Sequence, residues 1–214
     1  MLAALHHEIR RAVRDLLRDK GFAIAAVLSI GLGVGANSAI FSLVDQALLR
    51  LLPVKEPERL VLLDWNGASV GPGWGSSNLN SYPFYRDLVA QTDVFDGAFA
   101  RHPTRVLLSV ETVAEPVDVE IVTGSYFSVL GIRPLMGRLI EEPDDDQPGA
   151  HPVVVVSRDY WQNRLGGRRD IVGLKVLVNK HPMTVVGVAA AGFRGIDWGE
   201  VPSLWLPTMM KRVM

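Results

Sequence analysis

The chain has 214 residues, a net charge of −1, a pI near 6.5, 21% charged residues and no cysteine. The near-neutral balance argues against a nucleic-acid partner, which calls for a basic face. A 48% hydrophobic share excludes intrinsic disorder, and the missing cysteines exclude disulfides, thiolate metal sites and thiol nucleophiles. With 20 glycines besides and a mean hydropathy of +0.19, the composition predicts one strongly apolar segment.

Residues 1–20 read as an amphipathic helix. Leu5, Ile9, Val13 and Leu16 form one apolar stripe among Arg10, Arg11, Arg14, Arg18 and Lys20, the pattern of a cytoplasmic interfacial segment. From 22 to 44 the chain reads FAIAAVLSIGLGVGANSAIFSLV, 23 residues without a charge, of which 16 are apolar. At about 1.5 Å per residue such a helix crosses a hydrocarbon core about 30 Å thick, so residues 21–45 are assigned to one transmembrane helix. Five basic residues before it and three after it (Arg50, Lys55, Arg59) place the N-terminus in the cytoplasm and the rest outside. A cleavable signal peptide fits less well, because the apolar run outlasts a signal core. A dinucleotide-binding reading of Gly31, Gly33 and Ala36 fits poorly too: the acidic candidate, Asp64, lies too far on. Gly31 and Gly35 have the small-x-x-x-small spacing of packed membrane helices and are the helix-packing candidates.

Residues 51–214 read as one extracytoplasmic α+β domain. Strands are expected at 59–65, 94–100 and 105–110, with a Gly/Ser/Asn loop at 66–80 and a helix at 83–91 capped by Ser81. Residues 116–123 alternate, with Val117, Val119 and Ile121 on one face and Asp118 and Glu120 on the solvent face. A helical turn at 124–130 ends at Gly131. The segment 152–157, which contains VVVV, is a buried strand, and a helix at 158–165 stops at Gly166 and Gly167. A hairpin at 174–178 and 183–188 and a last strand at 203–206 complete the set. The strand-rich remainder is expected to leave an open sheet edge that favours self-association.

The residues present no catalytic, cofactor or metal constellation. His6, His7, His102, His151 and His181 lack ligand spacing, and the acidic run Glu141, Glu142, Asp144, Asp145, Asp146 lacks the glycine of a calcium loop and reads as a solvated loop. Trp65, Trp161, Trp198 and Trp205 read as core residues, and Trp74, in the glycine loop, as a core- or loop-packing residue with a binding contact as the alternative.

Six segments in order carry a resemblance: residues 21–53, YPFYRDL with VFDGAFA, VTGSYFSVLGIRPLMGR, PVVVVSRDYWQNRLGG, DIVGLKVLVNKHPMTVVGVAAAGFRG and LWLP. The chain resembles the front of an ABC transporter permease of the MacB/FtsX type, namely its first transmembrane helix and its periplasmic core domain. Asn179 and Lys180 stand where that family favours Asn-Gly in a turn. The resemblance implies a non-catalytic permease part in the plasma (inner) membrane that works with a separate ABC ATPase subunit, as a homodimer or a paired permease. A periplasmic adaptor and roles in export or signalling are implied with it. It also implies sequence beyond Met214, with three further membrane helices, so a fragment or truncated product is expected. The alternative is a stand-alone membrane-anchored binding module.

Overall fold

The structure, a computed structural model, describes residues 20–44, 53–63, 80–91, 94–197 and 201–214. It forms two compact units, residues 1–51 and 52–214. In the first, α1 (Lys20–Val44) is one unbroken helix of 25 residues. Its stretch Lys20–Ser42 has a hydropathy of 1.8 with none of it buried, long and apolar enough to cross a membrane. Gly31, Gly33 and Gly35 sit inside this helix, so the strand–turn–helix of a dinucleotide fingerprint is absent there. The amphipathic stretch 1–19 lies outside the described residues.

The second unit is built on seven strands: β1 (Arg101–Val110), β2 (Val113–Val122), β3 (Pro134–Gly137), β4 (Val153–Val156), β5 (Lys175–Val178), β6 (His181–Ala189) and β7 (Leu204–Pro207). Their order is β3-β6-β4-β7-β2-β1-β5, and β5 also pairs with β6. That extra pairing closes β6, β4, β7, β2, β1 and β5 into a ring. The open edge is shorter than expected: among the described strands β3, four residues long, is bonded on one side, and Arg101–Val106 of β1 pair with β2 alone, whereas Leu108 and Ser109 also pair with β5. Three short helices complete the unit: α2 (Tyr82–Ala90), α3 (Tyr126–Val129) and α4 (Arg158–Asn163).

Local chemistry explains most of these elements. Ser81 and Ser157 accept the N–H of Phe84 and Tyr160 and so cap α2 and α4. Gly166 and Gly167 follow α4 with φ of 67° and 66°. The β5–β6 turn uses Asn179 (φ 49°) and Lys180 (φ 71°), so both residues adopt the left-handed conformation that a primed hairpin turn requires, with lysine in glycine's usual place. The strand expected at 59–65 is corrected: Pro57–Arg59 is a 3-10 turn, 60–63 is irregular, and 64–65 lie outside the described residues. Residues 94–100 are also irregular, and β1 begins at Arg101. β3 was not anticipated, because four residues containing Pro134 and Gly137 show no period.

Strand alternation divides the apolar residues between two cores. Inside the ring lie Val119, Ile121, Val154, Val156, Leu204 and Leu206 with their neighbours. On the opposite face an aromatic cluster gathers Tyr126, Phe127, Phe193 and Trp205 around Val122 and Val155. Its rings meet mostly edge to face, with Tyr126–Phe127 at 5.1 Å and Phe127–Trp205 at 5.7 Å. The acidic run is no solvated loop. Asp144 and Asp145 are buried in the 3-10 turn Glu142–Asp145, where Arg138 holds Asp144 and the Met209 N–H donates to Asp145 at 2.7 Å.

Candidate functional site

Glu120 follows Val119 on β2 and therefore points away from the ring interior, into the aromatic cluster. The assignment of Glu120 to the solvent face is thus corrected: it is 3% exposed, whereas Asp118 is exposed as expected. The cause is a second apolar layer, which sequence alternation on one strand does not reveal. A buried carboxylate needs donors, and three groups supply them. Tyr126, four residues past the end of β2, donates its hydroxyl to Glu120 Oε2 at 2.8 Å. Trp205, directly across the parallel β2–β7 pairing, donates Nε1–H to the same oxygen at 2.9 Å. Arg101, the first residue of β1, donates from Nη1 to Glu120 Oε1 at 2.8 Å.

Arg101 also grips Asp197, with Nη1 and Nη2 each 2.5 Å from one carboxylate oxygen. Burial pulls the Arg101 guanidinium down, but Asp197 and Glu120 more than offset it and hold it above its usual range. Burial, with the Glu120 charge alongside, holds the Tyr126 phenol protonated far above its usual range. The chain Trp205–Glu120–Arg101–Asp197 thus runs from the aromatic core to the surface and ties the β6–β7 crossover to the β1–β2 hairpin. Gly195 fits under this tie with φ 83°; a Cβ there would stand 3.2 Å from Pro202 and 3.6 Å from Glu120. Beside it opens a cleft of about 320 Å³ lined by Pro103, Arg105, Asp118, Gly195, Asp197 and Pro202. Its lining holds three carboxylates (Asp118, Glu120, Asp197) and one guanidinium (Arg105), an acidic balance. Both Glu120 oxygens are engaged by donors, so it serves as a fixed acceptor and not as a base.

The sequence singles out none of the five network residues for function, although it marks Trp205 as core. The available signal was a Glu inside the apolar run VEIV, with an Arg opening the strand before it. Of the candidates that were named, Gly31 and Gly35 lie on α1, where a Cβ on either meets no atom within 4 Å. Trp161 packs against the ring core and donates Nε1–H to the Arg168 carbonyl, whereas Trp65, Trp74 and Trp198 lie outside the described residues. His102 is half-buried on β1, where burial and Lys211 lower its pKa, and His151 Nε2 is 3.4 Å from Asp146. His6 and His7 also lie outside the described residues.

The model of the MacB-like periplasmic core domain matches residues 23–214. The chain belongs to that family. Its members are permease components, not catalytic domains, and the family together with α1 makes this a membrane-anchored protein. Among curated relatives, the macrolide export ATP-binding/permease protein MacB of Neisseria gonorrhoeae is 23% identical over 212 residues, covering 95% of this chain and 32% of the relative. The protein of the same name from Neisseria meningitidis serogroup A gives the same identity and coverage. The chain thus spans about a third of the length of the curated relatives it matches. Among solved structures, the periplasmic region of MacB from Actinobacillus actinomycetemcomitans superposes with a TM-score of 0.51 at 21% identity, covering 65% of this chain and 62% of that one. It shares the fold.

Proposed function

We propose that the chain is the membrane-anchored, extracytoplasmic part of an ABC transporter permease, with residues 1–20 cytoplasmic, 21–45 spanning and 51–214 outside. The observation that carries this reading is the family match, which runs from within α1 to the end of the chain without a break. The basic flank before α1 supports the orientation. In this reading a partner ATPase hydrolyses nucleotide in the cytoplasm, α1 carries the resulting motion outward, and a homodimer or paired permease with an adaptor completes the exporter. The Glu120 network suits such a role, since an element that relays motion has to move as one body and the network cross-links five segments around a packed core.

Two measurements on the whole chain test the reading. Alkaline phosphatase joined after residue 100 is expected to be active and a cytoplasmic reporter at the same point silent; the reverse pattern overturns the orientation. The chain is also expected to co-purify from membranes with an ATP-hydrolysing subunit. Isolation without one, from cells expressing the neighbouring ATPase genes, would favour a stand-alone anchored binding module.

A further inference from the structure

On the outer surface of the ring, opposite the side chains that fill it, four neighbouring strands bring uncharged residues into one row. Pro116 on β2 pairs directly with Leu107 on β1, and Leu177 on β5 pairs with Pro182 on β6. Ser109 pairs with Leu177, and Asn179 exchanges hydrogen bonds with Leu107, which joins the two halves. Leu107 and Leu177 are 41% and 43% exposed, and both prolines are exposed. A charge-depleted, rigid row of this kind has the make-up of an interface core.

The rim of the row is not neutral. On the β1–β2 side Arg105 is matched by Asp118, with Nε to Oδ1 at 2.7 Å. On the β5–β6 side lie Lys175, which donates to Thr184 Oγ1, and Lys180 in the exposed turn. Neither lysine has a carboxylate within ion-pair distance among the described residues. We infer that the Pro116–Leu107–Leu177–Pro182 row is a docking face for a protein segment that presents apolar side chains flanked by carboxylates. A second copy is disfavoured, because the carboxylate beside the row, Asp118, is already held by Arg105 and so offers the lysines little. A lipid surface is disfavoured too: both leucines are more than half covered by their neighbours, and so small an apolar area binds a membrane surface weakly.

The chain has no cysteine, so Ser109→Cys labelled with acrylodan places one dye in the row. The labelled full chain in neutral detergent is titrated with three peptides. One carries leucines flanked by glutamates, one has lysines in place of the glutamates, and one has serines in place of the leucines. Phosphatidylglycerol is added separately. A saturable blue shift is expected with the first peptide only. Leu177→Glu is expected to weaken that binding about tenfold or more, and Lys175→Glu with Lys180→Glu severalfold. Leu177→Ser serves if Leu177→Glu lowers the melting temperature. The proposal is overturned by no saturable response to the first peptide, by equal response to the lysine peptide, or by binding that survives both Leu177 variants. A shift driven by phosphatidylglycerol, or by raising the protein concentration alone, overturns it as well.

Discussion

Trp205 stands directly across the β2–β7 pairing from Glu120 and donates its indole N–H to that carboxylate at 2.9 Å. Eighty-five residues separate the two in sequence. Their meeting is what permits a carboxylate inside an aromatic core, because the indole, the Tyr126 hydroxyl and the Arg101 guanidinium replace the water that Glu120 gives up.

Removing the acceptor leaves Arg101 partly buried beside nothing but Asp197. Glu120→Ala is expected to cost about 3–5 kcal/mol, the usual range for breaking a buried charged pair. Glu120→Gln keeps one acceptor oxygen and is expected to cost less. Urea unfolding of the two variants, followed by tryptophan fluorescence, checks the order; a Glu120→Ala midpoint equal to wild type would show the network to be dispensable.

Two glycines separate crowding from backbone strain. At Gly187 a Cβ would come within 2.0 Å of the Arg138 carbonyl oxygen, where β3 and β6 touch, so Gly187→Ala has to push backbone apart and is expected to cost about 3 kcal/mol or more. At Gly166, with φ 67° and nothing within 4 Å, Gly166→Ala meets only the left-handed penalty of about 1–2 kcal/mol. Thermal melts of both variants should rank them in that order.

Burial pushes the Asp145 carboxyl up to about 6 against the pull of the Met209, Gly124 and Thr208 N–H donors. A raised carboxyl favours folding in its protonated form. Its contribution is therefore full below pH 3.8 and is lost as pH rises through about 6. Asp145→Asn keeps an acceptor and removes the titration. Wild type is expected to lose stability relative to Asp145→Asn as pH rises from about 4 to 7; parallel stability curves across that window would refute the assignment. Asp144 works the other way. Burial raises its carboxyl, but Arg138 and the Glu141 N–H outweigh that and hold it low, so its contribution is lost only as pH falls below the ordinary aspartate range.

We propose that Gly31 and Gly35 let α1 lie close against a neighbouring membrane helix. Both are one helical turn apart on an uncovered helix. Gly31→Leu and Gly35→Leu should weaken the association of the full chain in a membrane two-hybrid assay, with expression unchanged. Unaltered association would make the spacing incidental.

The amino-acid sequence by itself determined the elements whose causes are local. Twenty-three uncharged residues set α1, Ser81 and Ser157 set two helix starts, Gly166 and Gly167 set a helix stop, and VVVV set a strand buried on both faces. The ordered segments were also enough to indicate the family, since several motifs in order carry more information than any one of them. Tertiary structure alone decided the rest. A period of two tells which residues of β2 share a face, but not that both faces are covered, and so Glu120 reads as solvated until β7 and α3 bring Trp205 and Tyr126 over it. The acidic run reads as a loop until the Met209 N–H reaches Asp145 from 64 residues away. Ring closure through β5 depends on hydrogen bonds between strands about seventy residues apart, and no local signal carries a pairing at that distance.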